Sequence, residues 1–454
     1  MLDYLRKQIP EIHPIRLFYY KVVAIFAAFY YRFPSRYLKV IAVTGTKGKT
    51  TTCSLIAQIL EKAGYKVGVM STVFFQVGDR KWANLTKQTT VGRFELQRLL
   101  REMVDEGCQY VILETSSHAM LQSRLWGVNV DTAVFTNLQK DHLEYHGSFD
   151  AYRDAKGMLF DKLNRSQRKS NVPKIFVVNS DDQASEYFLR FPADQKYSFG
   201  LKKGIYMSKD VKSLPNGSKF KYAIPNGEAE IQFSLPGVVN VYNATAAATV
   251  AVSEHIGLQT IKTALEGCTA VPGRMEPVDC GQLFSVIVDY AHTPDSLQAL
   301  IDVFRPLTTG RLILIFGATG GGRDKAKRPV MGEVANNGCD DIILTDDDPY
   351  DEDNVAIIEQ IAGGIKREEG DRLWKVPSRR EAIRLGLSMA REGDTILIAG
   401  KGAEEFQMTR EGKIPHDDRK IAREFLSKES DVEIGGGIPN SEFRIRNTEL
   451  LIIL

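Results

Sequence analysis

A chain of 454 residues has room for two to four domains at roughly 100–200 residues each. Its 59 basic and 57 acidic residues leave a net charge of +2, so no whole-chain field draws nucleic acid or an acidic membrane, and nucleic acid is excluded as an expected partner. The five cysteines are odd in number and widely spaced, with no Cys-x-x-Cys pair, which excludes a disulfide framework or zinc ribbon and fits a reducing cytoplasm.

In chain order, the first element is an apolar, aromatic run over 17–31, interrupted only by Lys21. It is shorter than the about 20 residues of a membrane span, and it lacks the small-residue cleavage site of a secretory signal. It reads as a helix packed on the protein body, with weak contact at a membrane surface as the alternative and a span least favoured. The β-branched run 38–43 predicts a buried strand, and 50–63 has helical spacing closed by Gly64. Further strands are expected at 67–71, 110–114 and 132–136. Strands separated by helices predict an α/β fold, a parallel sheet with both faces covered. Beyond the strand IFVVN, Pro215-Asn216-Gly217 and Pro225-Asn226-Gly227 mark turns between short strands, and 237–257 is an Asn- and Ala-rich helix. A boundary falls near Pro272-Gly273-Arg274. Strands at 285–289, 311–316, 341–345 and 395–399 then predict a smaller, Rossmann-like α/β unit. The expected division is an apolar segment 1–38, an ATP-binding unit 39–273, a C-terminal unit 274–430, and a tail 431–454 with no functional reading.

Strand, Gly-rich turn, Lys-Thr and helix is the order that cradles phosphates, and it occurs at Gly45-Thr46-Lys47-Gly48-Lys49-Thr50-Thr51. Turn N–H groups face the anion, Lys49 neutralises charge and the Thr50 hydroxyl reaches Mg2+. The general P-loop asks for glycine five positions before Gly48; Val43 stands there, and Gly45 supplies the flexible turn instead. ATP or a similar nucleotide is the expected ligand. Glu114 ends YVILE, and Asp141-His142 follows the run at 132–136. Strand C-terminal ends in a parallel sheet face one crevice, so Glu114 and His142 are expected to hold a divalent metal beside the phosphates.

Nine stretches occur in order: TGTKGKTT, ETSSH, FTNLQKDHLEYHG, YRDAKGMLF, GRMEPV, VDYAHTPDSL, GGRDKAKRPVMG, LTDDDPY and AGKGAEEF. Together they resemble the Mur ligases over about residues 40 to 425. The resemblance implies an ATP-dependent ligase that adds the third amino acid to UDP-N-acetylmuramoyl-L-alanyl-D-glutamate through an acyl phosphate, for peptidoglycan synthesis. It implies Thr50 and Glu114 on one Mg2+, His142 on the second, and Lys156 as a carbamate that helps hold metal. Thr89, Thr90, Ser116, Gln122 and Arg124 match positions that hold the nucleotide-sugar peptide. Asn243, Arg274, Asp289 and His292 match ATP contacts. Arg323, Asp347, Asp348, Pro349, Tyr350, Gly400 and Glu404 match the pocket for the incoming amino acid.

The chain departs from the family pattern at two places. The phosphate loop begins at residue 44, so the N-terminal domain that holds the uridine nucleotide in such ligases is expected to be missing. Members that use diaminopimelate carry Asp-Asn-Pro-Arg, whose arginine clamps the distal carboxylate. Here the segment is Asp347-Asp348-Pro349-Tyr350, and Ala403 replaces a histidine. Asp348 adds a negative charge that favours a cationic side chain such as lysine, while Arg323 and Glu404 keep diaminopimelate in view. The runner-up is a folylpolyglutamate-synthase-like or poly-γ-glutamate ligase. A non-catalytic P-loop binding protein is disfavoured because Lys49, Glu114 and Lys156 all stand.

Overall fold

The computed structural model describes residues 13–86, 88–139, 143–214, 217–322 and 324–434. The expectations for His142, Arg323, the Pro215-Asn216 turn and 435–454 fall outside these residues. The first element, α1 (Pro14–Tyr30), starts with Pro14 at N1, where its missing N–H costs nothing. It packs small side chains, Ala24, Ala27 and Ala28, against the body.

The apolar run beginning at Leu38 becomes β1 (Lys39–Thr44), followed by α2 (Lys49–Lys62). Next come β2 (Val67–Met70), β3 (Phe74–Val77), β4 (Arg80–Ala83), α3 (Arg93–Asp105), β5 (Tyr110–Glu114), α4 (Ser117–Leu121) and β6 (Thr132–Phe135). After α5 (Leu143–His146) and α6 (Phe149–Arg165) the chain forms β7 (Ile175–Asn179), α7 (Ser185–Leu189) and β8 (Gln195–Gly200). It continues through β9 (Tyr206–Leu214), β10 (Gly217–Ile224), β11 (Gly227–Phe233), α8 (Val238–Ser253) and α9 (Leu258–Glu266). All eleven strands join one sheet in the order β11-β10-β9-β8-β7-β6-β1-β5-β2-β3-β4. Its centre is parallel as expected: β1 lies between β5 and β6, with Val43 opposite Glu114 and Val134. The edges are antiparallel, β2-β3-β4 on one side and β9-β10-β11 on the other. The polar stretch marked by Pro-Asn-Gly turns thus extends the central sheet. The 74–83 hairpin turns at Gly78-Asp79, with Gly78 at φ +57, a two-residue signal that the sequence reading passed over. One core face packs α2 and α8 on the sheet and the other packs α3 and α6, which explains why β1 is apolar on both faces.

A second sheet of six strands follows: β12 (Glu276–Pro277), β13 (Ser285–Asp289), β14 (Leu312–Phe316), β15 (Asp341–Leu344), β16 (Leu373–Lys375) and β17 (Thr395–Ala399). Its order, β12-β13-β17-β14-β15-β16, is parallel except at β12. The helices α10 (Pro294–Phe304), α11 (Lys327–Gly338) and α12 (Asn354–Ala362) cover one face. The other face carries α13 (Arg379–Met389) and, after the hairpin β18 (Phe406–Thr409) and β19 (Gly412–Pro415), α14 (Asp418–Ile434).

Four of the five thiols, Cys53, Cys108, Cys268 and Cys339, are buried, and Cys280 alone is partly exposed. Burial pushes the Cys339 thiol up to about 12 and raises Cys53 as well, so neither forms thiolate near neutral pH. A thiol titration of the native protein is expected to count one fast group, Cys280, and all five after denaturation. Fast reaction of two or more native thiols would contradict this packing.

Candidate active site

The loop between β1 and α2 is shaped by two glycines. Gly48 has φ +81 at the helix N-cap, and a Cβ there would collide with Asn243 Oδ1 from α8. Gly45 lies so close to Thr136 that its Cβ would collide with Oγ1. Segment 136–137, just after β6, straps the loop down: Asn137 Oδ1 accepts from Lys47 N at 2.9 Å, and Thr136 Oγ1 donates to Lys47 O at 2.8 Å. Lys49 curls over the loop, donating to Thr46 O at 2.8 Å and Gly45 O at 3.1 Å. Its ammonium is therefore stationed at the mouth of the turn, above the N-terminus of α2. Thr51 is buried in the first turn of that helix.

Three chain segments meet at the end of β5. Thr50 Oγ1 donates to Glu114 Oε2 at 3.0 Å. Thr72, between β2 and β3, donates to the same carboxylate from its backbone N at 2.7 Å and its hydroxyl at 2.9 Å. These three donors fix the orientation of a carboxylate that is 3% exposed. Arg274 Nη2, from the segment just before β12, donates to Thr50 Oγ1 at 3.4 Å. From α6, the buried Lys156 donates to Gly45 O at 2.7 Å with its ammonium 4.4 Å from the Tyr152 ring centroid. Lys49 and Thr50 from α2, Glu114 from β5 and Lys156 from α6 are thus brought to one loop. Tyr152 Oη, which sequence reasoning passed over, lies 3.3 Å from Thr46 Oγ1. So was Thr72; a lone threonine between two strands carries no motif.

The expected sugar-peptide residues form one network beside Glu114. Thr90 Oγ1 donates to Glu114 O at 2.9 Å and accepts from Ser116 N at 3.2 Å. Thr72 Oγ1, whose proton goes to Glu114, lies 3.1 Å from Thr89 Oγ1 and can accept from it. Arg124 donates to Gln122 Oε1 at 2.8 Å and to Gln88 Oε1 at 2.9 Å, while Gln122 Nε2 donates to Tyr145 Oη at 3.2 Å.

The second sheet contributes a different set. Buried Asp289 accepts from Met275 N and Ala291 N, both at 2.8 Å, and burial raises its carboxyl despite these bonds and nearby Arg274. Burial holds the His292 imidazole below its ordinary value, and its Nδ1 lies 2.7 Å from Tyr290 O. Asp289 and His292 do not touch the phosphate loop; the contact there is Lys47 Nζ donating to Asp295 O at the start of α10, at 3.0 Å. Asn243 does pack against it at Gly48, and its Oδ1 also accepts from Thr52 Oγ1 on α2 at 3.5 Å.

At the far side, Lys401 is fully buried between acids. It donates to Asp348 Oδ1 and Glu404 Oε2, both at 2.8 Å, with Asp347 Oδ1 at 3.7 Å. These carboxylates push the lysine well above its usual range, so it stays cationic. The expectation that Asp348 offers an open charge to an incoming ammonium is revised, because Lys401 already neutralises it and Met408 N donates to it as well. Tyr350 has φ +57 and packs its ring over Gly321. Pro349 precedes it, and Gly400, with φ +115, leaves room for Asp347. Lys401→Met would leave Asp347, Asp348 and Glu404 without their shared cation. It is expected to destabilise the fold by about 3–5 kcal/mol in urea titration; a loss below about 1 kcal/mol would show the cluster is solvated.

An open cleft of ≈ 410 Å³, solvent included, runs between the two sets, lined by Thr72, Asn84, Tyr290, Lys401, Glu404 and Phe406. Thr72 links one wall to Glu114, and Lys401 and Glu404 form the other. Among the described residues no three His, Cys, Asp or Glu side chains gather to hold a metal ion unaided. Thr50 and Glu114 offer hard oxygen donors, which suits Mg2+, an ion that takes one or two protein ligands and completes its shell with phosphate and water.

Residues 43–251 match the Mur ligase middle domain, and 273–402 match the Mur ligase, glutamate ligase domain. The chain is 42% identical over 407 residues to a UDP-N-acetylmuramoyl-L-alanyl-D-glutamate–2,6-diaminopimelate ligase of Geobacillus kaustophilus (strain HTA426), covering 89% of this chain and 82% of that protein. It is 40% identical to the UDP-N-acetylmuramyl-tripeptide synthetase of Roseiflexus sp. (strain RS-1), with 89% and 82% covered. A solved UDP-N-acetylmuramoyl-L-alanyl-D-glutamate–2,6-diaminopimelate ligase superposes with TM-score 0.62 at 32% identity, covering 87% of this chain and 79% of that one. Mycobacterium tuberculosis folylpolyglutamate synthase, solved with ADP and AMPPCP, shares the fold at TM-score 0.65 and 16% identity, with 88% and 94% covered.

Proposed function

Because the chain belongs to the Mur ligase family of ATP-dependent amide-bond ligases, we propose that it adds 2,6-diaminopimelate to the D-glutamyl residue of UDP-N-acetylmuramoyl-L-alanyl-D-glutamate. The observation that carries this is the cleft that sets Thr72, bonded to Glu114 behind it, across from Lys401 and Glu404, the expected amino-acid side. The names of the relatives at about 40% identity support the substrate and the acceptor. The cysteine pattern supports work in a reducing cytoplasm.

In this reading the units 39–273 and 274–430 act together. Turn N–H groups of Gly45 to Gly48, the N-terminus of α2 and Lys49 hold the ATP phosphates. Thr50, Glu114, His142 and a carbamylated Lys156 would hold Mg2+, which would supply positive charge to offset the two anions. Thr89, Thr90, Ser116, Gln122 and Arg124 orient the dipeptide so that its γ-carboxylate attacks the γ-phosphate and ADP leaves. Arg274, Asn243, Asp289 and His292 close on the nucleotide from the other side. Arg323, Gly400, Glu404 and 347–350 present the acceptor amine to the acyl phosphate, and phosphate departs from the tetrahedral adduct. Exclusion of water from the cleft protects the acyl phosphate from hydrolysis.

A second acceptor, lysine, is favoured by Tyr350, which supplies no positive charge for a distal carboxylate. Phosphate release is to be measured with ATP, the UDP-muramoyl dipeptide and each amino acid in turn. Turnover with diaminopimelate at the higher kcat/KM supports the proposal, and preference for lysine moves it to the second acceptor. Turnover only with a folate would overturn both.

A further inference from the structure

The helix α1 is apolar on two opposite faces, and only one of them is covered. The inner face sets Ala24, Ala27 and Ala28 against the body and lays Tyr20 under Arg93, 3.9 Å from guanidinium to ring centroid. The outer face carries Phe18, Tyr19, Val22, Phe26, Phe29 and Tyr30, at the i, i+3, i+4 spacing of a single stripe. Phe18 is 70% exposed, Phe26 64%, Phe29 62% and Tyr30 67%. Tyr37 and Phe94, 68% and 40% exposed, extend the patch past the helix end and onto α3. Single exposed apolar residues need no explanation, but a continuous aromatic stripe does.

Charge around the stripe indicates what covers it. No Asp or Glu occurs between Glu11 and Glu61, while exposed Lys21, Arg32 and Arg36 border the stripe. The acids of the underlying α3 are already engaged: Arg98 holds Glu95 and Glu102, and Arg101 holds Asp105. A second copy docked through the same face would repeat the same cations on both sides with no acid between them. An anionic lipid surface complements the patch, taking the aromatic side chains among its headgroups and pairing the cations with phosphates. No helix among the described residues is long and apolar enough to cross a membrane, which leaves a helix lying in the surface plane.

We propose that α1 docks the enzyme on an anionic phospholipid bilayer through the stripe from Phe18 to Tyr30 and its bordering cations. Arg93 gives the contact a direction: it stacks on Tyr20 and donates to Gln122 O at 2.6 Å, so the docked helix abuts the Gln122–Arg124 segment. Docking would therefore turn the sugar-peptide side of the cleft toward the membrane surface. The inference rests on α1 and its charge, not on which amino acid is added.

The test is co-sedimentation of the full chain with phosphatidylcholine vesicles, with and without phosphatidylglycerol, at low and high salt. Binding at least about tenfold stronger to the anionic vesicles and weakened by salt is expected. Phe18→Ser with Phe26→Ser should abolish it, and Lys21→Glu with Arg32→Glu should cut it by about tenfold or more. All four positions are solvent-exposed, so melting temperature and amino-acid-dependent phosphate release in solution should stay unchanged. No sedimentation with anionic vesicles would overturn the proposal. So would vesicle-free self-association that Phe18→Ser with Phe26→Ser dissolves, which would assign the stripe to a second copy.

Discussion

Glu114→Gln is expected to lower kcat for amino-acid-dependent phosphate release by roughly 10²–10³-fold, the scale of one lost electrostatic contact in a water-excluded site. The carboxylate is held by Thr50 and by both the N–H and hydroxyl of Thr72. An amide keeps its shape, but it removes the negative charge and points a donor at groups that already donate. The change therefore acts on metal binding as well as on packing, and the two are separable. If Glu114 holds Mg2+, the Mg2+ midpoint of the reaction rises in the variant while the melting temperature falls by only a few degrees. An unchanged Mg2+ midpoint with reduced rate would restrict Glu114 to holding Thr50 and Thr72 in place.

Lys156→Ala is the second large effect. Lys156 is 2% exposed, lies against the Tyr152 ring and donates to Gly45 O, so its amine is already aimed at the phosphate loop. Adding CO2 to that amine converts a cation into a carboxylate, a change of two charge units next to Glu114's site. The alanine variant should lose activity by about 10²-fold or more, by the same electrostatic scale. Short carboxylic acids should restore part of it, since they can occupy the vacated volume and supply the missing oxygens. Wild-type activity should fall when bicarbonate is stripped from the buffer. Full activity in the variant would remove the carbamate role; loss without chemical rescue, and no bicarbonate dependence, would leave Lys156 as a strut for Gly45.

The parts of this site that are contiguous in sequence were legible, and those assembled across the fold were not. Gly45 to Thr50 follow a β-branched run and precede helical spacing, so the strand, loop and helix could be read locally. Glu114 was legible because it terminates a five-residue apolar strand, and a parallel sheet sends such termini to one edge. Lys156 was legible only through resemblance, since a lysine within a helix has no spacing signal of its own. Thr72 and Tyr152 were missed for the same reason. Lys401 reversed an inference drawn from sequence: Asp348 looked like an added negative charge, yet its partner comes from 53 positions along the chain. The β3-β4 edge of the sheet escaped because alternation there is weak, as the exposed 80–83 strand shows, whereas the Pro-Asn-Gly turns marked the strands of the opposite edge.

The central place of β1 also bears on how the chain is made. This strand is apolar on both faces and its two neighbours are β5 and β6, with Ile41 paired to Ile112 and to Thr132. While the chain is being synthesised, β1 emerges first and has no hydrogen-bonding partner until the segments ending at Glu114 and Phe135 follow it. A fragment cut before β6 keeps one row of β1 amides and carbonyls bare, beside an apolar surface suited to pairing with another chain. Such fragments are destined for aggregates, so the smallest soluble piece of the N-terminal half must extend through β6 and the helix that covers it, α6.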